Sequence, residues 1–453
     1  MRPRVLTASL GRWVDPAVAF AALCRDSDRA FWLDSGAAAS QGMSYLGVAA
    51  DLVTDFDSPV LDWLRGELAA ADIDTTDAPP GFALGWVGWL GYELRGETMA
   101  TPVTRQSRYP RAAFLRVVRA LAFDHATGEV TLLAIGADLA PWRAEVDTAL
   151  ADPVAVEPTT LNGNTATWAY PDAEYIAMIE ACQAAIVEGD AYQLCLTTEA
   201  SVDVTPDPLA TYLALRASSP THHGALLRAG EISLLSSSPE QFLRVSPSGV
   251  VETRPIKGTR PRGVDDAADE ALRAQLEHSD KERAENLMIV DLMRNDLGRI
   301  SKVGSVSVTS LLAVESYAQV HQLVSTVRGE LADGLDGIDA IAACFPAGSM
   351  TGAPKLSATL ILDRLERRAR GIYAGAFGYI GFDGAIDLAM VIRSIVIDPD
   401  GSTVGTGGGI TALSVPAEEL EETRVKAAAL LRVLGVVAPE LGETRRPNIL
   451  GSY

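Results

Sequence analysis

The most apolar window of the chain, residues 81–92, sets the first limit on the fold. Gly85, Gly88 and Gly91 interrupt it, and it is too short to cross a bilayer. The pattern fits a strand packed close against another backbone, with Trp86 and Trp89 supplying the bulk. No signal-peptide pattern stands at the start, so a cytoplasmic protein is expected. The 453 residues, 48% hydrophobic and 21% charged, can bury a large ordered core in about two or three domain-sized units. A formal net charge of −21 argues against nucleic acid or an anionic membrane as partner, because both need a basic face. An anionic small substrate stays open wherever cationic side chains gather. Cys24, Cys182, Cys195 and Cys344 are far apart, lack zinc-ligand spacing and sit in apolar surroundings, as free core thiols do.

Along the chain, residues 30–35 and 86–93 read as strands, and segments 111–123 and 129–135 as a hairpin about the 124–128 turn. The Pro-, Thr- and Asn-rich stretch 152–164 marks a linker, dividing region 1–164 from region 165–453. Asp172 opens a helix with Ile176, Ile179 and Ile186 inward and Gly189 as its stop, leading into a strand over 190–196. Ser279 and Glu282 form a capping box for a helix that stops near Gly298. Its middle is apolar almost all round, which predicts burial. Glu285, Asp291 and Asp296 would then need a cation, a basic partner or a proton. A further helix is expected over 353–370, closed by Gly371. The loop before it is no phosphate loop, since Ala353 stands where glycine is required and no Ser or Thr follows Lys355. The last helix starts after Pro416 and ends at Gly435, with Glu419, Glu422 and Lys426 on one face and Leu420, Ala427 and Leu431 on another. Gly407, Gly408 and Gly409 would offer successive bare amides, an anion nest.

Lys257 is the residue most conspicuously placed. It lies in Thr253-Arg254-Pro255-Ile256-Lys257-Gly258-Thr259-Arg260-Pro261-Arg262, where two prolines stiffen the backbone. Strand alternation puts Pro255, Lys257 and Thr259 on one face. An interior strand would bury Lys257, lower its pKa and give a nucleophilic amine. Glu240 follows the turn after Ser236-Ser237-Ser238-Pro239, and His321 is the one histidine of five inside a well-patterned apolar segment, 318–324.

These motifs resemble the chorismate-utilising enzymes. The likeness is carried by Gly189-Asp190-Ala191-Tyr192-Gln193, by Pro255-Ile256-Lys257-Gly258-Thr259 and by Ser349-Met350-Thr351-Gly352-Ala353-Pro354-Lys355. It is strong from about Tyr170 onward and thinner before. The resemblance implies an α+β chorismate-binding fold, antiparallel sheets packed face to face with helices outside. It implies Mg2+ held by Glu285, Glu419 and Glu422, and catalysis by Lys257, Glu240 and His321. Chorismate would be held by Thr351, Tyr379, Arg393, Gly407, Gly408, Gly409 and Lys426, with Tyr379 and Arg393 on the pyruvyl carboxylate. Lysine at 257 is the form found in aminodeoxychorismate synthase component I, whereas anthranilate synthase component I usually has alanine there. Gln193 stands where isochorismate and salicylate synthases carry a water-activating lysine, so water is disfavoured as nucleophile. Amination of chorismate is therefore the implied reaction, with anthranilate synthase as the nearest alternative and a folate precursor as the product. No cysteine sits in a glutaminase elbow, so a glutaminase subunit is the implied source of ammonia. The aromatic N-terminal region resembles the part that holds regulatory tryptophan in anthranilate synthase.

Overall fold

Short strands that are apolar on both faces need cover on both sides. In the computed structural model, which describes residues 2–136, 138–153, 155–317 and 320–437, two antiparallel sheets lie face to face with helices outside each. The first sheet has twelve strands. From one edge they run Arg4–Ser9, Glu129–Gly136, Arg119–Asp124, Met43–Val48, Ala30–Asp34, His223–Ala229, Ile232–Ser238, Ser394–Asp398, Gly401–Ile410, Gln193–Val202 and Gly352–Ala353, with Ala166–Trp168 also on Gln193–Val202. The ten-stranded second sheet runs from Ile256–Pro261 through Val320–Glu330, Val250–Arg254, Gln241–Val245, Ile386–Met390, Ala376–Gly381, Gly85–Leu90 and Ala112–Val117 to Asp51–Val53, with Ser307–Ser316 also on Val320–Glu330.

Phe31, Tyr45, Phe82, Trp89, Phe377 and Tyr379 fill the space between the sheets. Helices Pro208–Ser218 and Pro416–Val433 cover the first sheet, whereas Val60–Ala70, Asp280–Gly298 and Gly337–Cys344 cover the second. Gly88 shows why the apolar window needs glycine: a Cβ there would lie 1.8 Å from the Ala113 carbonyl oxygen on the neighbouring strand.

The regions expected as 1–164 and 165–453 are not spatially separate. Ala30–Asp34 pairs directly with His223–Ala229, and Gly85–Leu90 with Ala376–Gly381, so both sheets cross that boundary. Val154, within the expected linker, lies outside the described residues. The expected strand over 111–123 breaks at Val118, its first half joining the second sheet and its second half the hairpin with Glu129–Gly136. Helix Asp280–Gly298 starts as foreseen, Ser279 accepting from the Glu282 amide, but it is amphipathic. Ile289, Val290, Met293 and Leu297 are buried while Leu287 and Asp291 face solvent. Helix Lys355–Glu366 ends earlier than expected, at a left-handed Arg367, because Glu366 turns into the core. Among the described residues no helix is long and apolar enough to cross a membrane.

Candidate active site

The chain passes from the first sheet to the second between Ile232–Ser238 and Gln241–Val245, and back again between Ile386–Met390 and Ser394–Asp398. The two crossings run side by side: the Met390 amide donates to the Glu240 carbonyl (3.0 Å), and the Ser237 amide to the Arg393 carbonyl (3.0 Å). Glu240 and Arg393 are thereby brought to one place. Glu240 is 8% exposed. Burial pushes its carboxyl up to about 7, against the opposing pull of the Lys257 ammonium and a hydrogen bond with Ser349. Arg393 adopts a left-handed φ of 48°. Burial lowers its guanidinium pKa, and no partner among the described residues offsets that.

Lys257 sits on a β-bulge. Ile256 pairs with Val324 and Thr259 with Gln322, so Lys257 and Gly258 together oppose Leu323 alone. Gly258 takes the left-handed conformation (φ +82°), and a Cβ there would lie 2.9 Å from the Glu282 carboxylate. The extra residue breaks the alternation assumed from sequence: Thr259 and Arg260 are both buried, while Lys257 is half-buried rather than enclosed. From the bulge its ammonium reaches the electrostatic range of Glu240, Glu422 and Cys195.

Helix Pro416–Val433 supplies the opposite wall. Glu419, 5% exposed, accepts from Ser414 Oγ (2.7 Å), and burial holds its carboxyl above the ordinary range. Glu422 pairs with Lys426 (2.6 Å), and Lys426 also donates to the Gly407 carbonyl (3.2 Å). Burial works against the Glu422 charge, but Lys426, Lys281 and Lys257 together hold its pKa below the usual value. Lys281, on the facing helix, is in electrostatic reach of Glu419, Glu285, Glu422 and Glu282. These four keep its ammonium pKa raised in spite of burial. Glu285, Glu419 and Glu422 thus border one cluster, and their hard carboxylate oxygens suit Mg2+. As placed, however, no three His, Cys, Asp or Glu among the described residues are close enough to hold one ion.

Three further expectations change. Residues Gly407, Gly408 and Gly409 lie within strand Gly401–Ile410, opposite Thr197, Leu196 and Cys195. Extended backbone turns successive amides to opposite sides, so they cannot converge as a nest. Their smallness serves contact instead: a Cβ on Gly409 would lie 2.3 Å from Gln193 Nε2, and one on Gly408 3.2 Å from Glu419 Oε2. Tyr379 is not brought to the site, because its ring packs between the sheets against Phe82 (4.9 Å) and Tyr45 (6.0 Å). His321 is 1% exposed with both ring nitrogens engaged, Nε2 on Asp269 Oδ1 (3.0 Å) and Nδ1 on Ser316 Oγ (2.7 Å). Neither nitrogen is left for a substrate. Ala318 and Gln319, of the same expected segment, lie outside the described residues. Thr351 is fully buried, bonding the Ala347 carbonyl (3.1 Å), while its own carbonyl accepts from the Cys195 amide (2.8 Å).

Sequence reasoning missed Ser349, Tyr373 and Lys281. Ser349 lay inside a motif read for its family likeness and for Thr351, not for the serine itself. Tyr373 packs its ring where a Gly405 side chain would be, within reach of Cys195. Strand alternation could have found the misplacement of Tyr379, since Phe377 and Tyr379 share the inter-sheet face of Ala376–Gly381. Lys281, four residues before Glu285, carried the helical spacing that faces it into the acid cluster.

The chain belongs to the chorismate binding enzyme family, which matches residues 28–432. It is 42% identical to the aminodeoxychorismate synthase of Streptomyces griseus over 97% of this chain and 65% of that protein. To the chloroplastic aminodeoxychorismate synthase of Arabidopsis thaliana it is 40% identical over 82% of this chain and 42% of that protein. The chain therefore spans less than two thirds of the length of these relatives. To anthranilate synthase component 1 of Streptomyces coelicolor it is 36% identical, over 92% and 86% of the two chains. The fold is shared with anthranilate synthase component I from Streptococcus pneumoniae (TM-score 0.75, 27% identity, 93% of this chain and 98% of that one). It is also shared with the menaquinone-specific isochorismate synthase of Escherichia coli (TM-score 0.71, 20% identity, 96% of each).

Proposed function

We propose that this chain is the chorismate-aminating component of an aminodeoxychorismate synthase, replacing the 4-hydroxyl of chorismate by an amino group to give 4-amino-4-deoxychorismate, a precursor of 4-aminobenzoate and folate. The observation that carries this reading is the carboxyl of Glu240, buried within electrostatic reach of Lys257 and held at a pKa of about 7, which leaves it a proton to give near neutrality. Lys257, once neutral, adds at C2 of the ring as Glu240 protonates the departing hydroxyl. Ammonia then adds at C4 and the lysine leaves. Arg393, a half-buried cation without a partner among the described residues, suits the pyruvyl carboxylate. Glu285, Glu419 and Glu422 would hold Mg2+, which neutralises a substrate carboxylate when bound. Gln193 cannot serve as a base, which favours ammonia over water.

Ammonia comes from a glutaminase. Burial raises the thiol pKa of all four cysteines, to about 12 for Cys182 and Cys344, so none is poised as the thiolate that glutamine hydrolysis requires. Buried free thiols also suit the reducing cytoplasm. The aromatic N-terminal region is the part proposed for tryptophan, and a rise in Tm on adding tryptophan would support it. The deciding experiment is turnover of chorismate with ammonium and Mg2+. The expected product is 4-amino-4-deoxychorismate; fluorescent anthranilate would overturn the reading. With chorismate but no ammonia, intact-mass measurement is expected to show an adduct that Lys257→Ala cannot form.

A further inference from the structure

Asn286 sits in the buried stripe of helix Asp280–Gly298 with Ile289, Val290, Met293 and Leu297, and is 0% exposed. A buried amide is costly unless its polar atoms are hydrogen-bonded, and those of Asn286 all go to the strands beneath the helix. Its Nδ2 donates to the Leu323 carbonyl (3.3 Å) and the Pro255 carbonyl (3.4 Å), and its Oδ1 accepts from Ser325 Oγ (2.5 Å). Carbonyls only accept, so the amide has one workable orientation here.

These partners surround the bulge that carries Lys257. Leu323 is the residue that Lys257 and Gly258 jointly oppose, and the Pro255 carbonyl, two residues before Lys257, also takes the Ser325 amide (3.2 Å). A second bulge lies on the other side of strand Val320–Glu330. There Ser310 pairs with Thr326 and Ala313 with Val324, so Leu311 and Leu312 together oppose Ser325, whose Oγ accepts from the Leu312 amide (2.9 Å). A bulge disrupts its ladder and leaves the extra residue unpaired, so its place depends on contacts from outside the sheet. We propose that Asn286 is a positioning residue for the amination, clamping the bulge so that the Lys257 amine is held at one place, and that Ser325 acts through it. This role rests on Lys257 being the nucleophile of the proposed reaction.

The test sets rate against stability in the full chain. Intact mass follows the adduct formed with chorismate in the absence of ammonia, turnover with ammonium and Mg2+ gives kcat and the chorismate KM, and urea gives the unfolding midpoint. Asn286→Ala is expected to slow adduct formation and kcat by about ten- to hundredfold with KM within about twofold, because a misplacement of about 1 Å costs rate rather than binding. Ser325→Ala is expected to slow both steps less, and the double variant no more than Asn286→Ala alone, since the hydroxyl works through the amide. Leu297→Ala, from the same buried stripe, is expected to lower the urea midpoint and leave the adduct rate within about twofold. An adduct rate within about twofold of the wild type in folded Asn286→Ala overturns the proposal, as does equal slowing by Leu297→Ala. Should Asn286→Ala not fold, Ser325→Ala decides, and an unslowed rate there overturns it. If Lys257→Ala aminates like the wild type, the nucleophile assignment and the clamp fall together. If Lys257→Ala is inactive while Asn286→Ala is not slowed, only the clamp is lost.

Discussion

Two clusters of charge lie close together in this molecule and are built on opposite plans. Arg370 and Glu366, each 2% exposed, are joined by a two-pronged contact, Nη2 to Oε1 (2.7 Å) and Nε to Oε2 (2.8 Å). Their remaining capacity is also taken. Arg370 donates to the Met350 and Cys195 carbonyls and lies over the Tyr92 ring, while Glu366 accepts from the Thr197 amide and hydroxyl. Glu240, Lys257 and Arg393 have no such closure, and among the described residues no ion pair joins any of them to another group. Charge that only supports the fold is saturated, and charge kept for a ligand is left unmatched, at some cost in stability.

The sharpest way to break that contrast is to remove one member from each side. Lys257→Ala is expected to take amination down to background while shifting stability by no more than about 0.5 kcal/mol, since a half-buried unpaired lysine supports little. Turnover and urea unfolding of the same preparation check both halves. Arg370→Met should do the reverse in kind, leaving the buried Glu366 charge without its cation and costing about 3–5 kcal/mol. The measurement is the urea midpoint; a loss under about 1 kcal/mol would mean that the pair is not the brace its geometry suggests.

Local pattern made much of this legible, and its failures have identifiable causes. The capping box at Ser279 and the face of helix Pro416–Val433 both follow from spacing and motif. The bulge at Lys257 and Gly258 does not, because an inserted residue is defined only by the partner strand it fails to match. The same holds for Gly407 to Gly409. A glycine run permits a nest, and pairing with Gln193–Val202 is what makes it a strand. The two-region division failed for a related reason, since strand pairing between residues far apart in sequence leaves no trace in composition.

Glu240 offers a pH-dependent form of the comparison. Its carboxyl pKa rises from 4.5 to about 7 on folding, so the folded chain holds that proton more tightly than the unfolded one. The penalty for ionising it is absent below about 4.5 and complete above about 7, where it amounts to about 3 kcal/mol. Glu240→Gln, which has no charge to bury, should therefore be more stable than the wild type at pH 8 by up to that amount and no more stable at pH 4.5. Its amination rate should fall by about 10²–10⁴-fold. In the wild type, the rate should decline as pH rises through about 7, as the proton is lost. Equal unfolding midpoints for the two proteins at pH 8 would show that burial does not strain this carboxyl.

The smallest effect is expected at His321, and it decides on which side of the contrast that residue belongs. Its ring is closed off by Ser316 and by Asp269, and Asp269 is itself gripped by Arg262 through two contacts of 2.7 Å and by the Gly263 amide (2.8 Å). That arrangement resembles the saturated plan of Arg370 and Glu366, and it ties strand Val320–Glu330 to helix Asp266–Glu277. Asparagine is too short to bridge both partners, so His321→Asn should lose about 1–2 kcal/mol of stability. Its kcat should stay within a few fold of the wild type, measured at a temperature where both are folded. A drop of a hundredfold or more in kcat with an unchanged unfolding midpoint would instead place the ring beside the substrate, and Asp269 would then be the group that orients it.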